Sequence, residues 1–205
     1  LSKSRCLPKL EKLFLNHNKI SDSGAKILAE SKLVQNISCL MLEANQIGVN
    51  GAQSLATSLN LKNLETLFLD SNPIGPEGAE ALARSTCLPS LTALHMDSTG
   101  IGDQGVKAIA ASQTLSKIKK LYLCSNKIGD EGAIALSQSP NLSHLTCLSI
   151  WRNEIRDAGG KAIAESNHFL KLERLYMSLN LIEKPTRKLI RASDMASRLK
   201  TLVMD

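Results

Sequence analysis

Aromatic residues are scarce in this sequence, which has one Trp, two Tyr and three Phe among 205 residues. Compact globular cores rely on these large side chains to fill volume. Because 43% of the residues are nevertheless hydrophobic, the core must consist mainly of Leu, Ile and Ala. This composition favours a thin, layered and regular core over the thick core of an ordinary domain of this length.

Long apolar runs and a leader are missing as well. No run is long enough to cross a bilayer, which predicts no membrane partner, and no charged-then-apolar signal peptide is visible. The chain begins at Leu1 without an initiator Met, so we expect it to be part of a larger protein.

The cysteines form no C-x-x-C pair, and no His stands at metal-ligand spacing from them. Their number is odd, which favours reduced thiols and a cytoplasmic setting. We therefore expect no metal and no other cofactor. The five residues are Cys6, Cys39, Cys87, Cys124 and Cys147.

A continuous basic stripe, which a phosphate-tracking groove would need, is also lacking, although the net charge is +6. The distribution therefore predicts solvated helix faces and no nucleic-acid partner. The basic residues gather near the two ends, at Lys3, Arg5, Lys9, Lys12 and Lys19 and again at Lys184, Arg187, Lys188, Arg191, Arg198 and Lys200.

What the sequence does contain is a repeat of 27 residues without insertions. Three ladders of Asn, Gly and Ile share this step, and Thr99 fills the one vacant Asn place, so chance is excluded. The ladders are Asn18, Asn45, Asn72, Asn126, Asn153 and Asn180; Gly24, Gly51, Gly78, Gly105, Gly132 and Gly159; and Ile20, Ile47, Ile74, Ile101, Ile128, Ile155 and Ile182.

Each unit reads L-x-x-L-x-L-x-x-N-x-I, then a short turn, then G-A-x-x-L-A. The alternation at residues 67–69 predicts a short strand, and Ala79, Leu82 and Ala83 form one helical stripe. The predicted fold is an α/β, right-handed β-α solenoid with a concave parallel sheet and outer helices. Residues 1–205 form one domain of about seven full repeats, with partial repeats at both ends: residues 1–10 as the tail of an earlier helix, and residues 199–205 as an eighth strand.

Two ladders suggest physical roles. Gly and Ala would let the outer helices approach the strand layer closely, and each Asn amide would satisfy backbone groups in its own turn and in the neighbouring one. Because Thr99 can make fewer such bonds, we expect a local weak point there. The segment at residues 185–187 replaces Gly and Ala with Pro, Thr and Arg, which predicts a less closely packed last helix.

The core L-x-x-L-x-L-x-x-N-x-I followed by G-A-x-x-L-A resembles the ribonuclease-inhibitor-like class of leucine-rich repeats. This class includes the Ran GTPase-activating proteins and the sensor regions of intracellular immune receptors. The literal G-A-x-x-L-A at residues 24–29, 51–56 and 78–83 is similar to the GALA-type repeat proteins that some bacteria deliver into host cells. The resemblance covers essentially the whole chain and implies protein binding without a cofactor, on a scaffold that hosts unrelated partners.

The predicted concave face collects the scarce aromatic residues. The residue between the two inward leucines of each strand points to this face, and Trp151 lies two residues further along the sixth strand. Such a column could merely support the sheet, but exposed Tyr and Trp more often anchor a partner. The column comprises Phe14, Met41, Phe68, His95, Tyr122, Ser149, Tyr176 and Val203.

The column two residues further on contains Glu43, Asp70 and Asp97 on successive strands. These carboxylates would repel one another if unpaired, so they invite a basic partner segment or a cation, unless they are simply solvated. On later strands Lys120, Arg152 and Arg174 reverse the sign.

His95 beside the two Asp residues could indicate catalysis or metal binding. The register places no nucleophile next to a base, so His95 is predicted to be a contact residue and the protein not to be an enzyme.

The leading hypothesis is a scaffold that binds a partner protein, of unknown identity, on its concave face, with no small-molecule substrate. The predicted contact residues are Phe14, Met41, Glu43, Phe68, Asp70, His95, Asp97, Tyr122, Trp151, Arg152 and Tyr176. Two alternatives stay open: a GTPase-activator-like regulator of a small GTPase, and the substrate-recruiting arm of a ubiquitin ligase or bacterial effector. The expected location is the cytoplasm, or the host cytoplasm for a delivered effector.

Overall fold

A computed structural model of the chain describes residues 9–205. The expectation of a helix tail at residues 1–10, together with Lys3, Arg5 and Cys6, thus falls almost entirely outside the described residues. The strands are β1 (Lys12–Phe14), β2 (Cys39–Met41), β3 (Thr66–Phe68), β4 (Ala93–His95), β5 (Lys120–Tyr122), β6 (Cys147–Ser149), β7 (Arg174–Tyr176) and β8 (Thr201–Val203).

Helices alternate with these strands. They are α1 (Asp22–Glu30), α2 (Val49–Ala56), α3 (Gly75–Ala83), α4 (Gly102–Ala111), α5 (Asp130–Ser137), α6 (Asp157–Ala164), α7 (Lys184–Arg191) and α8 (Asp194–Arg198), with 3-10 turns at Lys32–Val34 and Pro140–Leu142. None of the described helices is both long and apolar enough to cross a membrane.

One sheet of eight parallel strands runs through the molecule in chain order, β1 to β8. Each strand pairs with the next at equivalent repeat positions, so Leu67 pairs with Leu40 on one side and Leu94 on the other. Because side chains alternate along a strand, these central leucines point inward, where all three are fully buried. The predicted β-α solenoid, including its eighth strand, is confirmed.

Helix packing explains the Gly ladder differently from the sequence-based expectation. A Cβ at Gly78 would lie 2.7 Å from Cγ2 of Ile74, four residues earlier, and 3.1 Å from Cβ of Ala52 in the preceding helix. A Cβ at Gly132 would lie 2.5 Å from Oδ1 of Asp103, again in the preceding helix. Gly is therefore required where one helix meets the preceding helix and its own turn; the expected approach to the strand layer was wrong.

Helix α7 is the exception that the sequence predicts. It buries only Thr186 and Ile190, whereas α3 buries Gly78, Ala79, Leu82 and Ala83. Fewer inward residues give α7 a thinner contact with its neighbours, as expected from the change at residues 185–187.

The Asn ladder forms a buried spine of hydrogen bonds. Asn153 Nδ2 donates to the carbonyls of Leu123 and Ile150, both at 3.0 Å, and so bridges two repeats. Its Oδ1 accepts from the backbone N–H groups of Asn126 and Ile128 at 2.9 and 3.1 Å. The amide thus satisfies backbone groups on both sides, which confirms the predicted role.

At the vacant place, Thr99 keeps only part of this pattern. Its Oγ1 donates to the Met96 carbonyl at 2.7 Å, but within residues 9–205 the side-chain bond back to the preceding repeat is lost. The Ile74 N–H, which an Asn there would bind, donates instead to the Asn72 carbonyl at 2.8 Å, and Gly75 N–H donates to the Thr99 carbonyl at 3.0 Å. Thr99 therefore makes fewer bonds, as predicted.

A second buried ladder, made of Ser residues, lies where the helix of each repeat ends. The hydroxyl of Ser58 donates to the carbonyl of Ala29 at 2.6 Å, and that of Ser166 donates to Ser137 at the same distance. Each bond caps the last turn of the preceding helix, whose carbonyls have no partner within the helix. Ser85, Ser112 and Ser139 do the same.

The residue just before each ladder Asn adopts a left-handed backbone. Its φ lies between 51° and 59° in seven successive repeats, although none of these residues is Gly. Such a conformation costs about 1 kcal/mol or more, and each N–H recovers a bond to the next repeat, as from Ser71 to the Asp97 carbonyl at 2.8 Å. The residues are His17, Ala44, Ser71, Ser98, Ser125, Arg152 and Leu179.

Candidate functional site

The face of the sheet turned away from the helices, which we call the open face, carries the first and third residues of every strand. Its third-position column matches the predicted concave column. Phe14 and Val203, at the two ends, are 59% and 41% exposed. Met41, Phe68, His95, Tyr122 and Tyr176 are half-buried, and Ser149 is buried.

Three rings in the centre of this column stack on one another. The ring centroids of Phe68 and His95 are 4.0 Å apart at an interplanar angle of 29°. Those of His95 and Tyr122 are 4.1 Å apart at 13°. Strand register produces this arrangement, because the three residues are paired across β3, β4 and β5. We call these residues the aromatic stack.

The aromatic stack is uncharged at neutral pH. Burial and, less strongly, the Lys120 cation together lower the pKa of His95 to about 4. Burial and, less strongly, Cys147 together raise the pKa of Tyr122 to about 12. His95 therefore presents a neutral flat ring, and its role as a contact residue stays a prediction.

Two of the three carboxylates in the column of Glu43, Asp70 and Asp97 accept backbone hydrogen bonds that the sequence did not predict. Asp70 Oδ1 accepts from the Asp97 N–H at 2.7 Å, and Asp97 Oδ1 accepts from the Cys124 N–H at 2.6 Å. Only Glu43 among the three has a buried oxygen, Oε2, without a partner in the described chain. Asp70 and Asp97 are thus paired with backbone N–H groups, and each fastens its repeat to the next; the invitation to a basic partner segment or a cation stays a prediction.

Burial still opposes charge in this column. Burial raises the pKa of Asp70 to about 6, a value that includes the lowering by the hydrogen bond from Asp97 and smaller rises from the charges of Asp97 and Glu43. The pKa of Asp97 is raised by burial. In residues 9–205 no group of three or more His, Cys, Asp or Glu side chains is arranged to hold a metal ion.

Strand β6 lies under the large side chains of its neighbours. Cys147 and Ser149 are 1% and 6% exposed although they point to the open face. The Cys147 thiol donates to Tyr122 Oη at 3.6 Å, so the Tyr122 side chain extends from its own strand, β5, over the neighbouring strand β6. Trp151, after β6, is 38% exposed and is the chain's single Trp.

Arg152, a predicted contact residue, and Arg174, which was not one, occupy different positions. Arg152 is exposed, and its left-handed backbone donates to the Ser178 carbonyl at 2.9 Å. Arg174, at the first position of β7, is half-buried, and its Nε is buried without a hydrogen-bond partner in the described chain. The sequence points to Arg174 only through its charge; burial of its Nε depends on neighbouring side chains that the repeat pattern does not specify.

Two grooves lie on the helical side instead of the open face. One, of about 400 Å³, is lined by Ser54, Ser58 and Leu59 among others. The other, of about 260 Å³, is lined by the repeat-equivalent residues Ala162, Ser166 and Asn167. Both lie where successive helices end, so they repeat a feature of the coil and do not coincide with the aromatic residues.

Comparison with known proteins agrees with this architecture. A family profile described as "Leucine Rich repeat" matches residues 6–29, 60–83, 87–110, 114–137 and 141–164, more than half of the chain. A search of curated protein sequences finds no significant match.

Two solved structures from Listeria monocytogenes are similar in fold. One is InlP, with 15% identity and a TM-score of 0.57, covering 86% of this chain and 45% of that one. The other is an internalin, inlF of strain 4b F2365, with 18% identity and a TM-score of 0.55, covering 97% and 57%. This chain spans about half the length of each, and at such identities the likeness concerns the fold alone.

Proposed function

Because this chain belongs to the leucine-rich-repeat family, we propose that it binds another protein and that the open face is where the partner lies. Scaffolds of this fold present long surfaces on which successive repeats contribute one contact each. Eight strands at the usual spacing give a face roughly 35–40 Å long. That length suits a folded protein or a long peptide better than a small molecule.

The aromatic stack is the observation that carries this proposal. Five of the six Phe, Tyr and Trp residues lie on the open face, and Phe169, the sixth, is 1% exposed in the core. Neutral, half-buried rings held by stacking lose little freedom when a partner covers them, which makes them good anchors. Aromatic residues needed only for filling would be expected inside, where this chain uses Leu and Ile.

An affinity-capture experiment tests the proposal. The triple variant Phe68→Ala, Tyr122→Ala and Trp151→Ala should lose partners that the wild-type protein retains from a cell extract, because their anchors are gone. Its far-UV circular dichroism should stay unchanged, because these side chains lie outside the core.

The matched control removes the same number of exposed apolar side chains from the helical side: Ile27→Ala, Leu59→Ala and Leu170→Ala, which are 54%, 75% and 65% exposed. This variant should capture partners as the wild type does. If instead the control lost them and the open-face variant kept them, the partner would lie on the helices.

The subclass and location are further proposals. Resemblance to ribonuclease-inhibitor-like repeats supports a partner such as a small GTPase or a ubiquitin-pathway substrate, and the thiol pattern supports a cytoplasmic location. A GTP-hydrolysis assay with a panel of small GTPases would test the first.

A further inference from the structure

Arg174 places a positive charge on the open face, and one of its hydrogen-bond donors has no partner among the described residues. Its Nε is buried and has no hydrogen-bond partner in the described chain. The ion pairs within residues 9–205 are Arg84–Glu80, Lys107–Glu131 and Lys200–Glu173, so Arg174 has no carboxylate of its own. A buried donor without an acceptor destabilises a fold, so the unpartnered Nε calls for an explanation.

Strand register fixes the surroundings of Arg174. It is paired with Cys147, which is paired in turn with Lys120, so the two cations stand on either side of a small residue that is 1% exposed. Tyr122 Oη reaches over the same residue, since it accepts from the Cys147 thiol at 3.6 Å. The Arg174 charge is close enough to oppose the rise that burial causes in the pKa of Tyr122.

Charge is divided along the open face. The carboxylates Glu43, Asp70 and Asp97 lie at the ends of β2, β3 and β4. From β5 to β7 the first, third and fifth positions of the described strands carry Lys, Arg, Tyr, Trp, Cys and Ser, with no acid. The later half is therefore complementary to an acidic surface, and the earlier half would repel one.

Resting on the proposed function, we propose that the open face over β5–β7 receives an Asp or Glu side chain from an acidic segment of the bound protein. The guanidinium of Arg174 donates to the carboxylate as a planar fork, which matches carboxylate geometry. Lys120 contributes the second positive charge, and the hydroxyl of Tyr122 donates from the aromatic stack. The anion lies above Cys147.

Trp151 provides the readout, because it is the only Trp of the chain and follows β6 on the open face, four residues after Cys147. Titration with a hexaglutamate peptide should change Trp151 fluorescence saturably, whereas a hexalysine peptide should leave it unchanged. Arg174→Gln should weaken hexaglutamate binding at least tenfold. The control Arg156→Gln makes the same charge change at an exposed residue before α6 and should bind as the wild type does.

Several results would overturn the anion site: no saturable response, equal weakening in both variants, or the same saturation with inorganic phosphate at matched ionic strength. The two proposals can fail separately. If the open-face triple variant loses its partner while Arg174→Gln keeps wild-type affinity for partner and hexaglutamate, the binding face stands and the carboxylate site falls.

Discussion

The buried turns and the open face share one 27-residue period and use it in opposite ways. In the turns, the same residue type returns in nearly every repeat, and each copy bonds the backbone of the repeat beside it. On the open face, the third strand position holds Phe, Met, His, Tyr, Ser or Val in different repeats. The difference teaches that stability depends on the repeated interior, which leaves the outer column free to vary toward a partner.

The largest loss of stability is expected when the spine residue Asn126 is replaced. Its Nδ2 donates to the Met96 carbonyl at 2.7 Å, and its Oδ1 accepts from the Thr99 and Gly100 N–H groups, both at 2.9 Å. Asn126→Ala should lower the free energy of unfolding by about 3 kcal/mol, because several buried backbone groups lose their partners at once. Urea unfolding measures this loss.

Phe68→Ala on the open face is the control for Asn126→Ala. It removes a larger side chain, but one that is half-buried, so its cost should be about 1 kcal/mol. Equal losses in the two variants would mean that the open face stabilises the fold as much as the spine does, and the contrast between the regions would fail.

Much of the fold follows from the sequence because its residues are repeated. The strand leucines, the helical stripe and the Asn spine each combine one residue type with one spacing. Residue type and repeat position therefore predict the same local structure. The Ser ladder had the same signal, at Ser58, Ser85, Ser112, Ser139 and Ser166. It was missed because Ser is common in exposed loops and its burial depends on the neighbouring helix end.

Other features could not be predicted from residue type. The left-handed position is occupied by residues as different as Ala44, Arg152 and Leu179, which have no preference for that conformation; the bond to the next repeat imposes it. On the open face, the sequence predicts the column but not the ring stacking, nor the backbone bonds that occupy Asp70 and Asp97. These depend on how side chains lean across strands.

A smaller change in stability is expected at Thr99, where Thr replaces the Asn of the buried spine. Thr99→Asn should raise the free energy of unfolding by about 1 kcal/mol, since an amide can bridge to the carbonyl of Leu69 as Asn72 bridges to Leu42 at 2.8 Å. Thermal unfolding should show a higher midpoint. The gain requires the turn at Gly75 to give up its bond to the Thr99 carbonyl; an unchanged or lower midpoint would show that this turn has adapted to Thr.

The smallest effect should appear on the open face, as a dependence on pH. The folded pKa of His95 is about 4, below its ordinary value of 6.5, so the unfolded chain takes up a proton at a higher pH than the folded chain. His95 therefore contributes stability above pH 6.5 that is lost as the pH falls toward 4. His95→Phe keeps a flat ring in the stack and removes this titration.

The stability of His95→Phe relative to wild type should thus increase between pH 7.5 and pH 5, as measured by urea unfolding at each pH. The change should be modest, because the imidazole is only half-buried and solvent screens its charge. Asp70 titrates in the opposite sense: its raised pKa makes the fold less stable as the pH rises from about 4 to 6. Because both proteins retain Asp70, its effect cancels in the difference. A difference that stayed constant with pH would mean that the stack holds a charged imidazole as readily as a neutral one, and it would remove the reason for treating the stack as an uncharged anchor.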